Sequence, residues 1–269
     1  MLRTARLASV LATALALGAS EPALAASAPS HAGKPQPAAS EPSHAGRPQP
    51  AASAPSNAGL PKASAPQQLA LLTRSTQAFS RPSRGSRPLE TVSRSRPITG
   101  EQTALPVIAR AIDAHRAAWL KVLLPGRPNS HTGWIQTSST TPGVTRWQIV
   151  VRISTRGVTV LRAGRPVRSF RAVVGKSSTP TPLGRFFVEE TVQLSRNEVG
   201  APYALALSAR SNVLQEFAGG PGQTALHGTD NVGGIPGTAV SHGCVRLDTQ
   251  AISWLAARIG PGTPVSITR

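Results

Sequence analysis

The 269-residue sequence contains one cysteine, Cys244, and its surroundings are those of a reactive thiol. A lone cysteine cannot close an intrachain disulfide, so it is buried, paired between chains or used. In Ser241-His242-Gly243-Cys244 a glycine directly precedes the sulfur, where the backbone can approach a substrate closely. A second histidine, His227, lies 17 residues upstream in Leu226-His227-Gly228. The Gly-rich stretch between them, with Gly233-Gly234 and Pro236-Gly237, is a loop able to bring the two together. An unperturbed thiol is only a few per cent ionised at neutral pH, so it needs a base or a cationic neighbour, and either histidine could supply one. That base must be oriented through its other ring nitrogen. Asp230 is the only carboxylate near in sequence, and a backbone carbonyl is the alternative. His227, His242 and Cys244 would also be soft enough donors for a zinc hydrolase, but the short His-Gly-Cys spacing would force two ligands to converge from one turn. No metal is expected.

The elements that must position these residues begin at Trp147. Residues 147–154, 158–162 and 166–174 are rich in β-branched side chains and separated by Arg156-Gly157 and Ala163-Gly164, which predicts a β-meander. Strands are also expected over 185–192, 203–207, 224–226 and 265–268. One helix is expected after Asp248 as N-cap, with Ile252, Leu255 and Ile259 on its apolar face and Gly260 as its stop. Upstream, Val107, Ile108, Ala111, Ile112, Trp119, Val122 and Leu123 recur at helical spacing, which predicts a helix within 105–124 ended by Pro125-Gly126. The expected class is therefore mainly β, a sandwich with one or two short helices, preceded by a disordered Pro/Ala-rich linker.

That linker follows from composition. The first aromatic residue is Phe79, and twelve of the 25 prolines fall between Pro29 and Pro97, so the leading quarter has almost nothing from which to build a core. Residues 1–26 read as a signal peptide: Arg3 and Arg6, an uncharged apolar run over 7–19, and Ala23-Leu24-Ala25 as a cleavage site, with an uncleaved anchor as the alternative. Residues 27–65 are three copies of a thirteen-residue unit beginning SAPSHAGKPQPAA, a spacer biased to polyproline II. His31 and His44 repeat with it and read as solvated. Residues 66–100 are expected to be a basic Arg/Ser/Pro linker, either a polyanion-binding arm or simply solvated. Residues 101–146 hold the expected helix and a short segment of undetermined role, and 147–269 form the catalytic domain. The net charge of +18, carried mostly by arginine, favours polyanionic surroundings. Export makes nucleic acid a poor partner and leaves anionic cell-wall polymers or a membrane surface.

The run from His227-Gly228 to Ser241-His242-Gly243-Cys244-Val245-Arg246 resembles the YkuD family of L,D-transpeptidases. Gly175 with Thr179-Pro180-Thr181-Pro182-Leu183-Gly184-Arg185-Phe186 is similar to a loop of that family, Tyr203 to its PY segment, and Gly262-Thr263-Pro264-Val265 to its closing strand. The resemblance implies Cys244 as nucleophile and His227 as base and later acid, with Gly228 orienting His227 through its carbonyl. It implies N–H groups of Gly243 and Cys244 as oxyanion donors, and His242 as support for the loop. Arg246 would grip a stem-peptide carboxylate, or else pair with Asp248 at the surface. Tyr203 would line the donor site or pack in the core, and Ser241 would contact substrate. The implied reaction is acyl transfer from a peptidoglycan tetrapeptide stem through a thioester, giving a crosslink between third residues. Hydrolysis would make the protein an L,D-carboxypeptidase. A non-catalytic wall-binding protein with an inert thiol is the remaining alternative. The resemblance implies no cofactor and places the protein in the cell envelope.

Overall fold

The computed structural model describes residues 66–216 and 220–269. The expected signal peptide, the thirteen-residue repeats and the two repeat histidines lie outside them. The mainly β class holds for the described residues, which carry one α-helix. None of their helices is long and apolar enough to cross a membrane.

Residues 147–269, here called the catalytic half after the expectation above, follow the period-2 reading closely. Strands β8 (Trp147–Arg152), β9 (Gly157–Arg162) and β10 (Arg165–Arg171) form the meander, and Ala163 with Gly164 turns it at positive φ. With β12 (Gly184–Gln193), β13 (Tyr203–Arg210), β14 (Gln223–Gly228), β16 (Val245–Leu247) and β17 (Pro264–Thr268) they make an eight-stranded sheet, ordered β10-β9-β8-β17-β12-β13-β14-β16. Strands β11 (Val174–Gly175) and β15 (Ala239–Ser241) pair separately and in parallel. Helix α1 (Thr249–Ala256) begins where Asp248 Oδ1 accepts the Ala251 N–H at 2.7 Å, and Ala257, not Gly260, caps its end. Its Ile252 and Leu255 join Ile149, Val160, Phe186, Leu205, Leu226 and Val245 in one apolar core.

Residues 66–145 depart from expectation. The basic linker contains β1 (Gln67–Leu72), β2 (Thr76–Phe79) and β3 (Pro88–Val92), and the expected helix is the hairpin of β4 (Ala104–Ile112) and β5 (Ala118–Leu123). With β6 (Thr132–Gln136) and β7 (Thr140–Thr145) they form a seven-stranded sheet ordered β3-β2-β6-β5-β4-β1-β7. The physical reason is at the turn. The Asp113 carboxylate accepts the His115 and Ala117 N–H groups and the Trp119 indole N–H, each at 2.9 Å, while Arg116 takes positive φ. Ile108 and Ile112, which completed the helical spacing, lie on the outer face of β4, Ile112 being 73% exposed. The prolines that argued against structure sit where strands allow them: Pro82 lies between β2 and β3, Pro88 is the first residue of β3, and Pro97 is in a loop.

Strand β12 joins the two sheets. Phe186 and Val188 enter the catalytic core, whereas Phe187, between them, packs into the core of the N-terminal sheet with Leu72, Leu105 and Leu124. Buried Glu189 pairs with Arg96 from the N-terminal sheet region and with Arg210 of β13, 3.1 Å away. Glu190 accepts from the Thr99 N–H at 2.9 Å and its hydroxyl at 3.0 Å.

Candidate active site

Strands β14 and β16 run parallel, with Leu226 beside Val245 and His227 beside Arg246. Leu226 and Val245 face the catalytic core. Strand alternation therefore puts His227, Arg246 and the preceding Cys244 together on the opposite face. Cys244 is half-buried there. Burial pushes its thiol pKa up, opposed by a hydrogen bond with the Ala225 backbone and by the charge of Arg246.

His227 is 6% exposed, and its Nδ1 lies 2.8 Å from the Gly228 carbonyl oxygen. A carbonyl only accepts, so Nδ1 carries the proton and the lone pair is on Nε2. Burial lowers the imidazole pKa to about 4, against the Gly228 hydrogen bond that raises it and with the Arg246 charge that lowers it further. Both groups are thus neutral at pH 7. Two glycines make this packing possible. A side chain at Gly228 would fall 1.9 Å from the Ala201 carbonyl oxygen, and one at Gly200, where φ is +86°, would fall 2.5 Å from His227 Nδ1. The Gly228 N–H also donates to the Gly200 carbonyl at 2.8 Å. Gly200 was not among the residues expected at the site. Asp230 does not orient the imidazole, because its carboxylate accepts from the Thr249 hydroxyl at 2.8 Å.

The turn before the sulfur is held from within. Ser241, fully buried, accepts the Gly243 N–H at 3.1 Å and donates to the Cys244 carbonyl at 2.6 Å, while Gly243 takes φ +119°. Its hydroxyl is occupied by the turn, which differs from the expected substrate contact. The same bond occupies the Gly243 N–H expected at the oxyanion. A strap over residues 175–183 fixes the turn from outside. The Thr179 hydroxyl and the Lys176 N–H both donate to the Ser241 carbonyl, at 3.2 and 3.0 Å, and Thr181 Oγ1 accepts from the Gly175 N–H at 2.9 Å.

Arg246 is 8% exposed and donates from Nη1 to the Val232 and Gly233 carbonyls, each at 3.2 Å, tying the 229–240 loop to β16. Asp248 caps α1 and makes none of the ion pairs among the described residues, so the surface pair with Arg246 does not form. The buried Nε of Arg246 has no hydrogen-bond partner. His242 is exposed on the turn, its pKa lowered first by partial burial and then by the charges of Lys176 and Arg246. Tyr203 is not brought to this face. It is half-buried against the catalytic core, whereas its neighbour Ala204, paired with His227, packs with Leu194 and Ala201 on the other side. Among the described residues no three His, Cys, Asp or Glu side chains are grouped to hold a metal ion.

A family model described as an L,D-transpeptidase catalytic domain, YkuD, matches residues 146–267. The protein YkuD of Bacillus subtilis is 28% identical over 161 residues, which cover 59% of this chain and 81% of that protein. YkuD of Bacillus licheniformis is 32% identical over 127 residues, 47% of this chain and 68% of that protein. L,D-transpeptidase 1 of Mycobacterium tuberculosis is 30% identical over 125 residues, 44% of this chain and about half (49%) of that protein. Among solved structures, L,D-transpeptidase 3 of Mycobacterium tuberculosis with a faropenem-derived adduct aligns at 14% identity over 61% of this chain and 94% of that one, with a TM-score of 0.39.

Proposed function

We propose that this chain, which belongs to the YkuD family of L,D-transpeptidase catalytic domains, crosslinks peptidoglycan stem peptides through a thioester on Cys244. The observation that carries the reading is the placement of His227 and Cys244 on one face of adjacent parallel strands, with the His227 lone pair left on Nε2. Both partners start neutral. His227 therefore removes the thiol proton as sulfur attacks the third-residue carbonyl of a tetrapeptide stem, rather than resting as an imidazolium beside a thiolate. The protonated imidazole then gives its proton to the departing amine of D-alanine. An amine of a second stem attacks the thioester, returns its proton to His227 and restores the thiol.

Arg246, with its Nε uncommitted, is suited to a stem carboxylate near the thiol, and its fixed charge favours negative charge developing at sulfur and carbonyl oxygen. The Gly243 N–H is taken by Ser241, so the Cys244 N–H is the oxyanion donor we assign. Ser241 acts by holding the turn, on which His242 is exposed two residues before the thiol. Tyr203 serves the core. Peptidoglycan as substrate places this chemistry outside the cytoplasm, in keeping with the apolar run over 7–19. The test is intact-protein mass spectrometry with a tetrapeptide donor or a carbapenem. A single adduct on the wild type that is absent from Cys244→Ala is expected, and no adduct on the wild type would overturn the proposal. Adding an acceptor amine separates crosslinking from hydrolysis by product mass.

A further inference from the structure

Away from the thiol, at the β10 edge of the catalytic sheet, arginine and aromatic side chains are layered on one another. Trp254 of α1 lies under two guanidinium groups, Arg258 at 4.6 Å and Arg168 at 5.3 Å from the ring centre. Arg168 also covers Phe170 at 5.4 Å, and Arg162 covers Trp147 at 5.3 Å. The rings meet beneath: Trp147 is edge-on to Trp254 at 6.0 Å, and Phe170 is tilted against it at 5.9 Å. The aromatic rings close the rim of the core, and the guanidinium groups form the outer layer.

This layer carries a cost that packing does not require. Arg162 and Arg165 face each other directly across the β9–β10 pair, a like-charge contact that destabilises a hairpin. None of the ion pairs among the described residues involves Arg162, Arg165, Arg168 or Arg258. A guanidinium stacked on a ring keeps donors pre-oriented for an oxyanion, although Arg258 commits Nη1 to the Trp254 carbonyl at 3.1 Å. The charges also form a row. Arg165 and Arg168 lie on one edge strand opposite Arg162 and Val160, and the bulge between them keeps both on one face, about 7 Å apart at roughly 3.3 Å per partner residue. A row suits a linear polymer better than a flat bilayer, and the half-buried rings do not project as membrane anchors would.

We propose that the face formed by Arg162, Arg165, Arg168 and Arg258 is a docking surface for a linear phosphodiester polymer of the cell envelope, its phosphates held by guanidinium forks backed by Trp147, Phe170 and Trp254. This puts the proposed polyanion contact in residues 147–269 rather than in residues 66–100, which contain three strands. The proposal is independent of the thiol chemistry.

The experiment measures binding of the full chain to poly(glycerol phosphate) as a function of salt, for the wild type and two triple variants. One replaces Arg162, Arg165 and Arg168 by Gln. The other makes the same change in charge at exposed Arg81, Arg84 and Arg87 in the N-terminal sheet. The first should bind at least ten-fold more weakly and lose about 2 from the slope of log affinity against log salt, at about 0.7 per phosphate contact. The second should stay within about two-fold. Equal weakening in both would show that only net charge matters and overturn the proposal. Unchanged binding in the first, or tighter binding to phosphatidylglycerol vesicles than to the polymer per phosphate, would also overturn it. Carbapenem adduct formation on Cys244, unchanged in both variants, confirms that each is folded.

Discussion

Two buried polar regions of the molecule are treated in opposite ways. On β12, Glu189 is paired with Arg96 and Arg210, and burial is answered by charge. Burial draws both arginines below their ordinary pKa, and Arg210, drawn to about 10, remains cationic at neutral pH. At the thiol face, burial is answered by neutrality: Cys244 is pushed up, His227 is pulled down to about 4, and no carboxylate among the described residues pairs with either. The difference lies in the built-in counter-charge, which the Glu189 cluster has and which Cys244 and His227 lack among the described residues. The structural cluster has one because it must hold two sheets together without changing state. The thiol–imidazole pair lacks one, as suits the proposed mechanism, in which charges arise only during the reaction.

The comparison can be broken most severely at the imidazole. His227→Gln should lower the rate of Cys244 acylation by about 10²–10⁴-fold, the usual contribution of a positioned base, in a stopped-flow assay with a carbapenem. Glu189→Gln removes the counter-charge between two buried guanidinium groups and should cost about 3–5 kcal/mol in urea unfolding, while leaving the acylation rate of the folded protein within about two-fold. Comparable losses of rate and stability from that variant would mean that the two regions are not separable.

Acid titration sharpens the contrast. Below its unfolded value of 6.5, His227 binds a proton in the unfolded chain but not in the native one until about pH 4. Its contribution to stability is therefore complete above pH 6.5 and is lost as pH falls toward 4, on the order of 3 kcal/mol in all. Urea midpoints of wild type and His227→Gln should diverge across that window and run parallel above it. The smallest effect is expected at Gly200→Ala, where the new Cβ would crowd His227 Nδ1 at a φ of +86°. Acylation should fall about ten-fold, with a loss of roughly 1–2 kcal/mol in stability.

How much of this was legible depended on the range of the forces involved. The catalytic strands and α1 could be read because alternation, turn residues and the Asp248 cap are local patterns. The hairpin of β4 and β5 could not, because Val107, Ile108, Ala111 and Ile112 satisfy helical spacing as well as strand spacing, and the deciding contact, Asp113 with Trp119, lies within the turn. Residues 66–100 read as linker because their apolar residues are few, and Leu69, Leu72, Ala78 and Val92 become a core only when other strands cover them. In the site, Gly200 was silent because its role is a missing side chain against a residue 27 positions away. Ser241 and Tyr203 were assigned by motif, while their contacts are set by the turn and by strand alternation.

The sequence by itself determined the chemistry: one thiol, a histidine with glycine after it, and a glycine before the sulfur are covalent facts that a short motif preserves. The tertiary structure alone decided the protonation states, the commitment of Ser241 to its own turn, and the joining of the two sheets through β12. Those depend on burial and on which strands become neighbours, and both are properties of the folded chain rather than of any segment within it.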